Sequence, residues 1–337
     1  MNIPSTRNLL AAIILMTATI LCGCQDSASR YVVVEGLALG TFVQVKCEPT
    51  LTPAEVNKII ANIDREAKES MSIFDDSSLI SKINSNKCDS LDRHIRFNIE
   101  LAARYHELSN GYYDITIKPL SSAWGFVQKD EKLSEPNIDS LLEIVGFDKI
   151  RIDENRIVKS DSRIQLDLNS IAKGYVVDLV AEELMKRGVD NYMVNIGGEI
   201  RCKGENNAGH DWSIGIETPY EGNFEQNAIE KIIPVSNCSV FTAAASTEIY
   251  TTDNGLKVCH TLNPKTGYSV LSNLLSVTVI APTCAEADAA ATMFMAMGSE
   301  NGALELAQRC EKEYGWGYYF IYADGDNYRV ETSNSLR

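Results

Sequence analysis

The chain has 337 residues, of which 45% are hydrophobic and 23% are charged, a composition that excludes a wholly disordered protein. Lysine and arginine number 31 against 46 aspartate and glutamate residues, so the formal net charge is −15. This acidic balance excludes a general nucleic-acid binder, which needs a basic face, and any anionic ligand needs a local positive group. The length allows about two domains of ~150 residues or one larger domain.

The N-terminus has the features of an export signal. Arg7 is its only charged side chain, and the apolar run over residues 9–21 is shorter than the ~20 residues of a membrane-spanning helix. The run ends in the sequence LCGC, which resembles a bacterial lipobox. We therefore expect residues 1–23 to be a lipoprotein signal peptide, Cys24 to carry the lipid and residues 24–30 to form a polar tether. An ordinary secretory signal is the alternative.

Helix and strand patterns alternate along the rest of the chain. A capping box with Pro at the first helical position opens a helix at residue 53. Apolar spacing near 3.6 predicts further helices over residues 96–109, 137–146, 171–187, 285–297 and 301–314. Alternating or β-branched runs predict strands over residues 31–46 (two, with a turn at 40), 150–152, 156–159, 163–168, 192–196, 212–217, 229–235, 249–252, 257–262, 274–281, 317–323 and 327–331.

This order of elements predicts the architecture. Strands come in runs with helices between them, which is typical of an α+β fold with mixed or largely antiparallel sheets and packed helices. No long flexible linker interrupts the pattern, so we expect residues 31–337 to form one domain, with two lobes as the alternative. Seven cysteines follow Cys24 without a C-x-x-C pair, and the four histidines lack metal-ligand spacing, so no zinc site is predicted.

Two glycine-containing segments are candidates for phosphate binding. Lys173 and Gly174 lie in the first turn of a predicted helix, whose free N–H groups and positive dipole end suit an anion. A plain capped helix with a surface lysine is the alternative. Gly197 and Gly198 stand at the end of a predicted strand, where glycine indicates close approach of a ligand or a simple turn.

One predicted helix is a candidate metal site. Residues 285–297 are almost entirely apolar, so the helix should be buried, and Asp288 and Thr292 share one of its faces. A buried carboxylate needs a partner, and Mg²⁺ with substrate phosphates would supply one. Backbone N–H groups at the start of the same helix are the alternative. His260 precedes an N-P-x-T-G turn, where it is either functional or structural.

The order of short motifs along the chain resembles the FAD:protein FMN transferase family, also called ApbE. The resemblance covers roughly residues 31–310. The matching segments are Leu39-Gly40-Thr41, Gly111-Tyr112-Tyr113-Asp114-Ile115-Thr116 with Trp124-Gly125, Leu166-Asp167-Leu168 with Ala172-Lys173-Gly174-Tyr175 and Asp178, Asn195-Ile196-Gly197-Gly198-Glu199-Ile200, His260 with Asn263-Pro264-x-Thr266-Gly267, and Ala287-Asp288-Ala289 with Thr292.

The resemblance implies an exported, membrane-tethered, Mg²⁺-dependent enzyme that transfers FMN from FAD to a Ser or Thr hydroxyl and releases AMP. It implies metal ligation by Asp288, Thr292 and the carbonyl of Ala172. We further expect Asp288 or His260 to take the proton of the acceptor hydroxyl. His260 would lie near the pyrophosphate. The other residues implied for the FAD site are Thr41, Tyr113, Asp114, Lys173, Gly197, Gly198 and Glu199.

The acceptor implied by the resemblance is a flavoprotein subunit of an exported redox complex, and the enzyme itself would be lipid-anchored on the periplasmic side. One motif departs from the family. Ala243-Ala244-Ala245 stands where the family usually has Thr-Ser-Gly, with Thr242 and Ser246 beside it. Two other functions therefore stay open: a non-catalytic FAD-binding lipoprotein, and a Mg²⁺-dependent pyrophosphatase that gives FMN and AMP.

Overall fold

An antiparallel sheet with helices on one face organises the fold. The computed structural model describes residues 31–126, 134–219, 229–245, 250–325 and 327–337, so the predicted signal peptide, Cys24 and the tether lie outside the described residues. The strands are β1 (Val32–Ala38), β2 (Thr41–Cys47), β3 (Ile150–Asp153), β4 (Arg156–Lys159), β5 (Tyr192–Ile196), β6 (Glu199–Lys203), β7 (Trp212–Glu217), β8 (Ile229–Val235), β9 (Cys238–Ala244), β10 (Tyr250–Thr251), β11 (Lys257–Val258), β12 (Leu274–Ala281), β13 (Gly317–Asp324) and β14 (Asn327–Thr332).

Eight of these strands form one sheet in the order β1-β2-β5-β6-β9-β12-β13-β14. Every neighbouring pair in it is antiparallel. The helices are α1 (Pro53–Met71), α2 (Leu79–Asn84), α3 (Arg93–Leu108), α4 (Lys118–Ala123), α5 (Ile138–Leu142), α6 (Ala172–Lys186), α7 (Cys284–Met297) and α8 (Ala303–Tyr314). None of the helices within the described ranges is long and apolar enough to cross a bilayer.

The two faces of the sheet are covered differently. Helices α6 and α7 pack against its central strands β5, β6, β9 and β12 and contribute to the larger core. The β7–β8 ribbon contributes Trp212 and Ile214 to a second core on the sheet, where they join Met193 and Tyr319. The predicted α+β fold with packed helices is therefore confirmed. It places the N-terminal ends of α6 and α7 against the sheet centre, where the candidate residues lie.

The local signals for helices were reliable. The predicted capping box is present, since Thr52 Oγ1 accepts from the N–H of Glu55 at 3.3 Å and Glu55 Oε2 accepts from the N–H of Thr52 at 2.8 Å. The prediction that α7 is buried is also confirmed, because each of its residues except Glu286 and Thr292 is buried. The seven described cysteines are free thiols.

Several predicted strands differ from the structure. Residues 163–168 do not form a strand, although Ile164, Leu166 and Leu168 are buried in alternation. The N–H and C=O of Leu166 bond instead to the side chain of Asn84, at 2.7 and 2.9 Å, so a side chain takes the place of a neighbouring strand. The strand predicted over 257–262 is limited to β11, and the helix predicted over 137–146 is limited to α5.

Candidate active site

The first turns of α6 and α7 are in backbone contact. A Cβ atom added to Gly174 would lie 2.3 Å from the carbonyl oxygen of Cys284 and 2.9 Å from Cα of Ala285. Only glycine allows this approach. It brings the N–H of Gly174 to 3.0 Å from Oδ2 of Asp288, which accepts its hydrogen bond. The missing side chain of Gly174 therefore makes room for the backbone of α7, and not for a phosphate as the sequence suggested.

Each of the two helices caps the other. Asp178 of α6 accepts hydrogen bonds from the N–H groups of Cys284 and Ala285, both at 2.9 Å, and Thr283 accepts from Glu286 at 3.3 Å. These N–H groups at the start of α7 are thus bonded without Asp288. The carboxylate of Asp288 is free of a capping role in its own helix and instead lines a cavity.

Strand β6 forms two ion pairs with α6 at this helix crossing, one through an acidic and one through a basic side chain of the strand. Glu199 pairs with Lys173, and Arg201 pairs with Asp178 at 2.6 Å. Glu199 has no exposed surface, and its Oε2 has no hydrogen-bond partner among the residues that the structure describes. With Asp288, three buried carboxyl groups face two cationic side chains, so ionisation of all three would leave one negative charge in excess.

Burial dominates the electrostatics of the group. Loss of solvent, together with the nearby Glu199 carboxylate, raises the pKa of Asp288 to about 8. Burial likewise raises the pKa of Glu199, although Lys173 opposes the shift. Burial alone would lower the pKa of Lys173, but Glu199 and Asp288 outweigh it and raise that pKa, so the lysine stays charged. A cation beside Asp288 would keep its carboxylate ionised at neutral pH.

A cavity of about 540 Å³ opens beside these residues, within the size range of cofactor sites. Its polar lining includes Lys173, His260, Asp288 and Thr292. Its aromatic lining comprises Phe74, Tyr112, Tyr113, Phe126 and Phe241. Nζ of Lys173 lies 5.5 Å from the ring centroid of Phe241, so a charged and a planar surface adjoin. The cavity can therefore take a ligand that is both anionic and aromatic.

The structure brings most of the predicted site residues to this cavity. Gly197 lines it from the turn between β5 and β6. Gly197 and Gly198 have φ values of +69° and +105°, which a tight two-residue hairpin turn requires. A Cβ at Gly197 would lie 2.8 Å from Cγ2 of Thr41, so Thr41 supports the turn from behind. Ala172 opens α6, two residues before the N–H that binds Asp288.

Tyr113 and Asp114 line the cavity but are also bonded within the protein. Tyr113 Oη lies 2.8 Å from Oγ of Ser170, just before α6, and burial raises the pKa of the phenol. Asp114 accepts from the N–H groups of Thr116 and Phe147, both at 2.8 Å. Its carboxylate therefore holds the local backbone, which leaves it fewer lone pairs for a ligand than Asp288 has.

Asp288 and Thr292 fit a hard cation. In the described part of the chain, no group of three or more His, Cys, Asp and Glu side chains converges as a metal site. A cation at Asp288 would thus be held by one carboxylate, a hydroxyl, a carbonyl and the oxygens of a ligand. Mg²⁺ accepts this mixture, whereas zinc favours nitrogen and sulfur.

Sequence reasoning missed several cavity residues. Phe241 belongs to β9, a strand that the sequence did not predict, although its neighbours Thr242, Ala243 and Ala244 stand out in the sequence as a departure from the family motif. Phe74 is 69% exposed at the cavity, in a loop whose sequence shows only an isolated aromatic residue. The hydroxyl of Thr242 lies 2.8 Å from that of Thr278 on β12, so it is engaged within the sheet. Strand β9 lacks a regular alternation of buried and exposed residues, and a single aromatic residue in a loop gives no sign of a ligand contact, which explains these omissions.

Comparison with known proteins agrees with this geometry. The family model described as the ApbE family matches residues 39–315, most of the chain. The chain belongs to the ApbE family. An FAD:protein FMN transferase of Haemophilus influenzae is 32% identical over 321 residues, covering 90% of this chain and 91% of that protein. The Escherichia coli K12 protein of the same name is 26% identical, and the match covers 100% of this chain and 98% of that protein.

Solved ApbE structures share the fold. The flavin transferase ApbE from Vibrio cholerae has a TM-score of 0.80 and 27% identity, covering 91% of this chain and 98% of that one. The apo form of the flavinyl transferase ApbE from Pseudomonas stutzeri also has a TM-score of 0.80, with 26% identity, and covers 90% of this chain and 95% of that one. The family predicted from the ordered motifs is thus confirmed.

Proposed function

We propose that this chain transfers the FMN half of FAD to a Ser or Thr hydroxyl of a target flavoprotein and releases AMP. The family and the names of its relatives make it an enzyme of the FAD:protein FMN transferase type. The Mg²⁺ requirement and the hydroxyl acceptor are our inference. The observation that carries it is Asp288, a carboxylate 1% exposed that faces the cavity while other residues cap its helix.

In the proposed reaction, the acceptor hydroxyl oxygen bonds to the phosphorus of the FMN half. The bond from that phosphorus to the bridging oxygen of the pyrophosphate breaks, and AMP leaves with this oxygen. Asp288, Thr292 and the Ala172 carbonyl would hold Mg²⁺, which when bound would supply positive charge beside the phosphate oxygens. Lys173 adds a permanent positive charge beside the same group, and its pairing with Glu199 orients it.

Asp288 and His260 were both candidates for the group that removes the hydroxyl proton. Oxygens of Asp288 that hold a cation lose basicity, so they are poor proton acceptors at the same moment. His260 lines the cavity shortly after β11 and is itself exposed, so an incoming protein could reach it. We therefore assign proton removal to His260, whose imidazole suits general base catalysis near neutral pH.

Asp288→Asn tests the assignment. The full chain is incubated with FAD, Mg²⁺ and an acceptor flavoprotein domain, and covalent flavin is followed by in-gel fluorescence. We expect at least a roughly hundredfold loss of transfer, because the amide cannot replace the charge that holds the cation. Asp161→Asn is the matched control, since Asp161 pairs with Arg163 on the surface away from the cavity. Full activity of Asp288→Asn would contradict the proposal.

The residues of β9 that line the cavity leave two competing functions open, the FAD pyrophosphatase and the FAD store. Ala243 and Ala244 line the cavity, and neither can donate a hydroxyl hydrogen bond to a phosphate. Incubation with FAD and Mg²⁺ but no acceptor separates them. Free FMN and AMP would favour the pyrophosphatase, in which water replaces the hydroxyl, whereas bound FAD that stays unchanged even after an acceptor flavoprotein is added would favour the store.

We also propose that the chain is an exported lipoprotein, anchored through Cys24 on the periplasmic side of the cell membrane. The support is the sequence of residues 1–24, with its short apolar run and lipobox-like end. An acceptor within an exported redox complex would then share its compartment. Metabolic labelling with a fatty acid tests the anchor: we expect label in the wild-type chain and none in Cys24→Ala, and equal labelling of both would refute it.

A further inference from the structure

We infer that the Asp178–Arg201 ion pair is a positioning unit that sets the place of Asp288 at the proposed cation site. The inference rests on the proposed function, since it assumes that Asp288 holds a cation. Neither residue lines the cavity. Both act through the first turn of α7, which begins four residues before Asp288.

The carboxylate of Asp178 is the point at which the sheet and both helices meet. It belongs to α6, accepts the N–H groups of Cys284 and Ala285 at the start of α7, and receives Arg201 of β6 at 2.6 Å. Asp178 is 4% exposed and the side chain of Arg201 is 17% exposed. One buried carboxylate on α6 is therefore bonded both to two N–H groups of α7 and to the guanidinium of a strand in the sheet.

These contacts restrict α7 in position and rotation. Two N–H groups bonded to two oxygens of one carboxylate fix the direction in which the helix begins. The close backbone contact at Gly174 limits sliding of one helix past the other. Asp288 lies one turn further along α7, and its bond to Gly174 returns to α6. A change at Asp178 therefore moves Asp288 relative to Ala172 and the cavity.

Arg201 keeps Asp178 in the form that can accept both bonds. Burial raises the pKa of Asp178, and Arg201 together with the two N–H groups opposes this shift. Without the guanidinium, a buried carboxylate would lack its counter-charge. Two residues earlier on the same strand, Glu199 pairs with Lys173 with the charges reversed, and Lys173 lines the cavity. The Glu199–Lys173 pair therefore supplies charge at the cavity, whereas the Asp178–Arg201 pair sets the position of α7.

Binding of Mn²⁺, a paramagnetic substitute for Mg²⁺, measures this role without catalysis. The full chain is titrated with Mn²⁺ in the presence of FAD, and free Mn²⁺ is followed by electron paramagnetic resonance. We expect Asp178→Asn and Arg201→Met each to raise the midpoint by about tenfold. Arg201→Lys, which keeps the charge, should recover most of the affinity. Glu183→Gln is the matched control on α6, since the ion-pair partners of Glu183 among the described residues are Lys186 and Arg187 at its own helix end.

The outcomes are distinguishable. A folded Arg201→Met or Asp178→Asn chain with the wild-type midpoint would overturn the inference. Should Asp178→Asn fail to fold, the partly accessible Arg201 still provides the test through its Met and Lys variants. Ile214→Val, which loosens the second core far from α6 and α7, shows whether general destabilisation alone moves the midpoint. Wild-type Mn²⁺ binding by Asp288→Asn would instead refute the cation site itself.

Discussion

Gly174→Ala is the smallest change that should disrupt the helix crossing. The added methyl group would lie 2.3 Å from the carbonyl oxygen and 2.6 Å from the carbonyl carbon of Cys284. Normal contacts of carbon atoms lie at about 3.5–4.0 Å, so the helices would have to separate by roughly 1 Å. Both atoms belong to the backbone, and no rotamer change can relieve the contact.

The expected cost combines two opposing effects. Overpacking of a close-packed core costs about 1–3 kcal/mol, and contacts with backbone favour the upper end. Alanine in place of glycine within a helix contributes up to about 1 kcal/mol in favour of folding. We therefore expect the free energy of unfolding to fall by about 2 kcal/mol. Separation of the helices would also lengthen the 3.0 Å bond from Gly174 to Asp288 and weaken Mn²⁺ binding.

Urea unfolding of the metal-free full chain measures the effect on stability. Gly36→Ala is the matched control, because the nearest atom to a Cβ at Gly36 is Cγ1 of Val43 at 3.8 Å, an ordinary contact. We expect this control to change stability by less than about 1 kcal/mol. A Gly174→Ala chain as stable as the control, with an unchanged Mn²⁺ midpoint, would refute the argument that the crossing fixes the site.

Three further predictions concern groups in and around the site. Lys173→Met should lower the free energy of unfolding by about 2 kcal/mol in urea, because Glu199 loses its counter-charge. Adding Glu199→Gln should recover most of this loss, and a double variant whose loss equals the sum of the two single losses would contradict the pairing. Burial lowers the pKa of His94 below its usual 6.5, so the unfolded chain binds a proton more readily and stability should fall as pH drops below about 6.5. His94→Gln should flatten this fall in melting temperature, and an unaltered pH profile would be evidence against it. The double variant Ala243→Thr with Ala244→Ser should lower the KM for FAD about fivefold, because it restores hydroxyl donors. The KM is obtained from initial rates, and an unchanged value would mean that β9 does not contact the phosphates.

The helices and the metal-ligand candidates could be predicted from the sequence because their signals are local. The capping box at Thr52 needs four consecutive residues, and the buried character of α7 is visible in its composition. Asp288 stands out because it is a carboxylate in an apolar helix. Such features depend on neighbours within one or two turns, so a single sequence contains them.

The frame around those candidates could not be predicted, because it depends on distant contacts. Asp178 lies 106 residues from Cys284, whose N–H it accepts, and nothing near Asp178 in the sequence indicates that role. Strands β6 and β9 pair with each other through short segments whose pattern alone does not indicate strands. The sequence predicts a ligand contact at Gly174, because a glycine that permits close approach does not specify what approaches.

The most direct test of the central claim is the mass of an acceptor flavoprotein domain after incubation with the full chain, FAD and Mg²⁺. We predict that the domain gains the mass of one FMN, that AMP appears in equal amount, and that the added mass maps to a single Ser or Thr. Replacement of that residue by Ala should abolish the gain. Release of free FMN and AMP with an unmodified acceptor would contradict the claim.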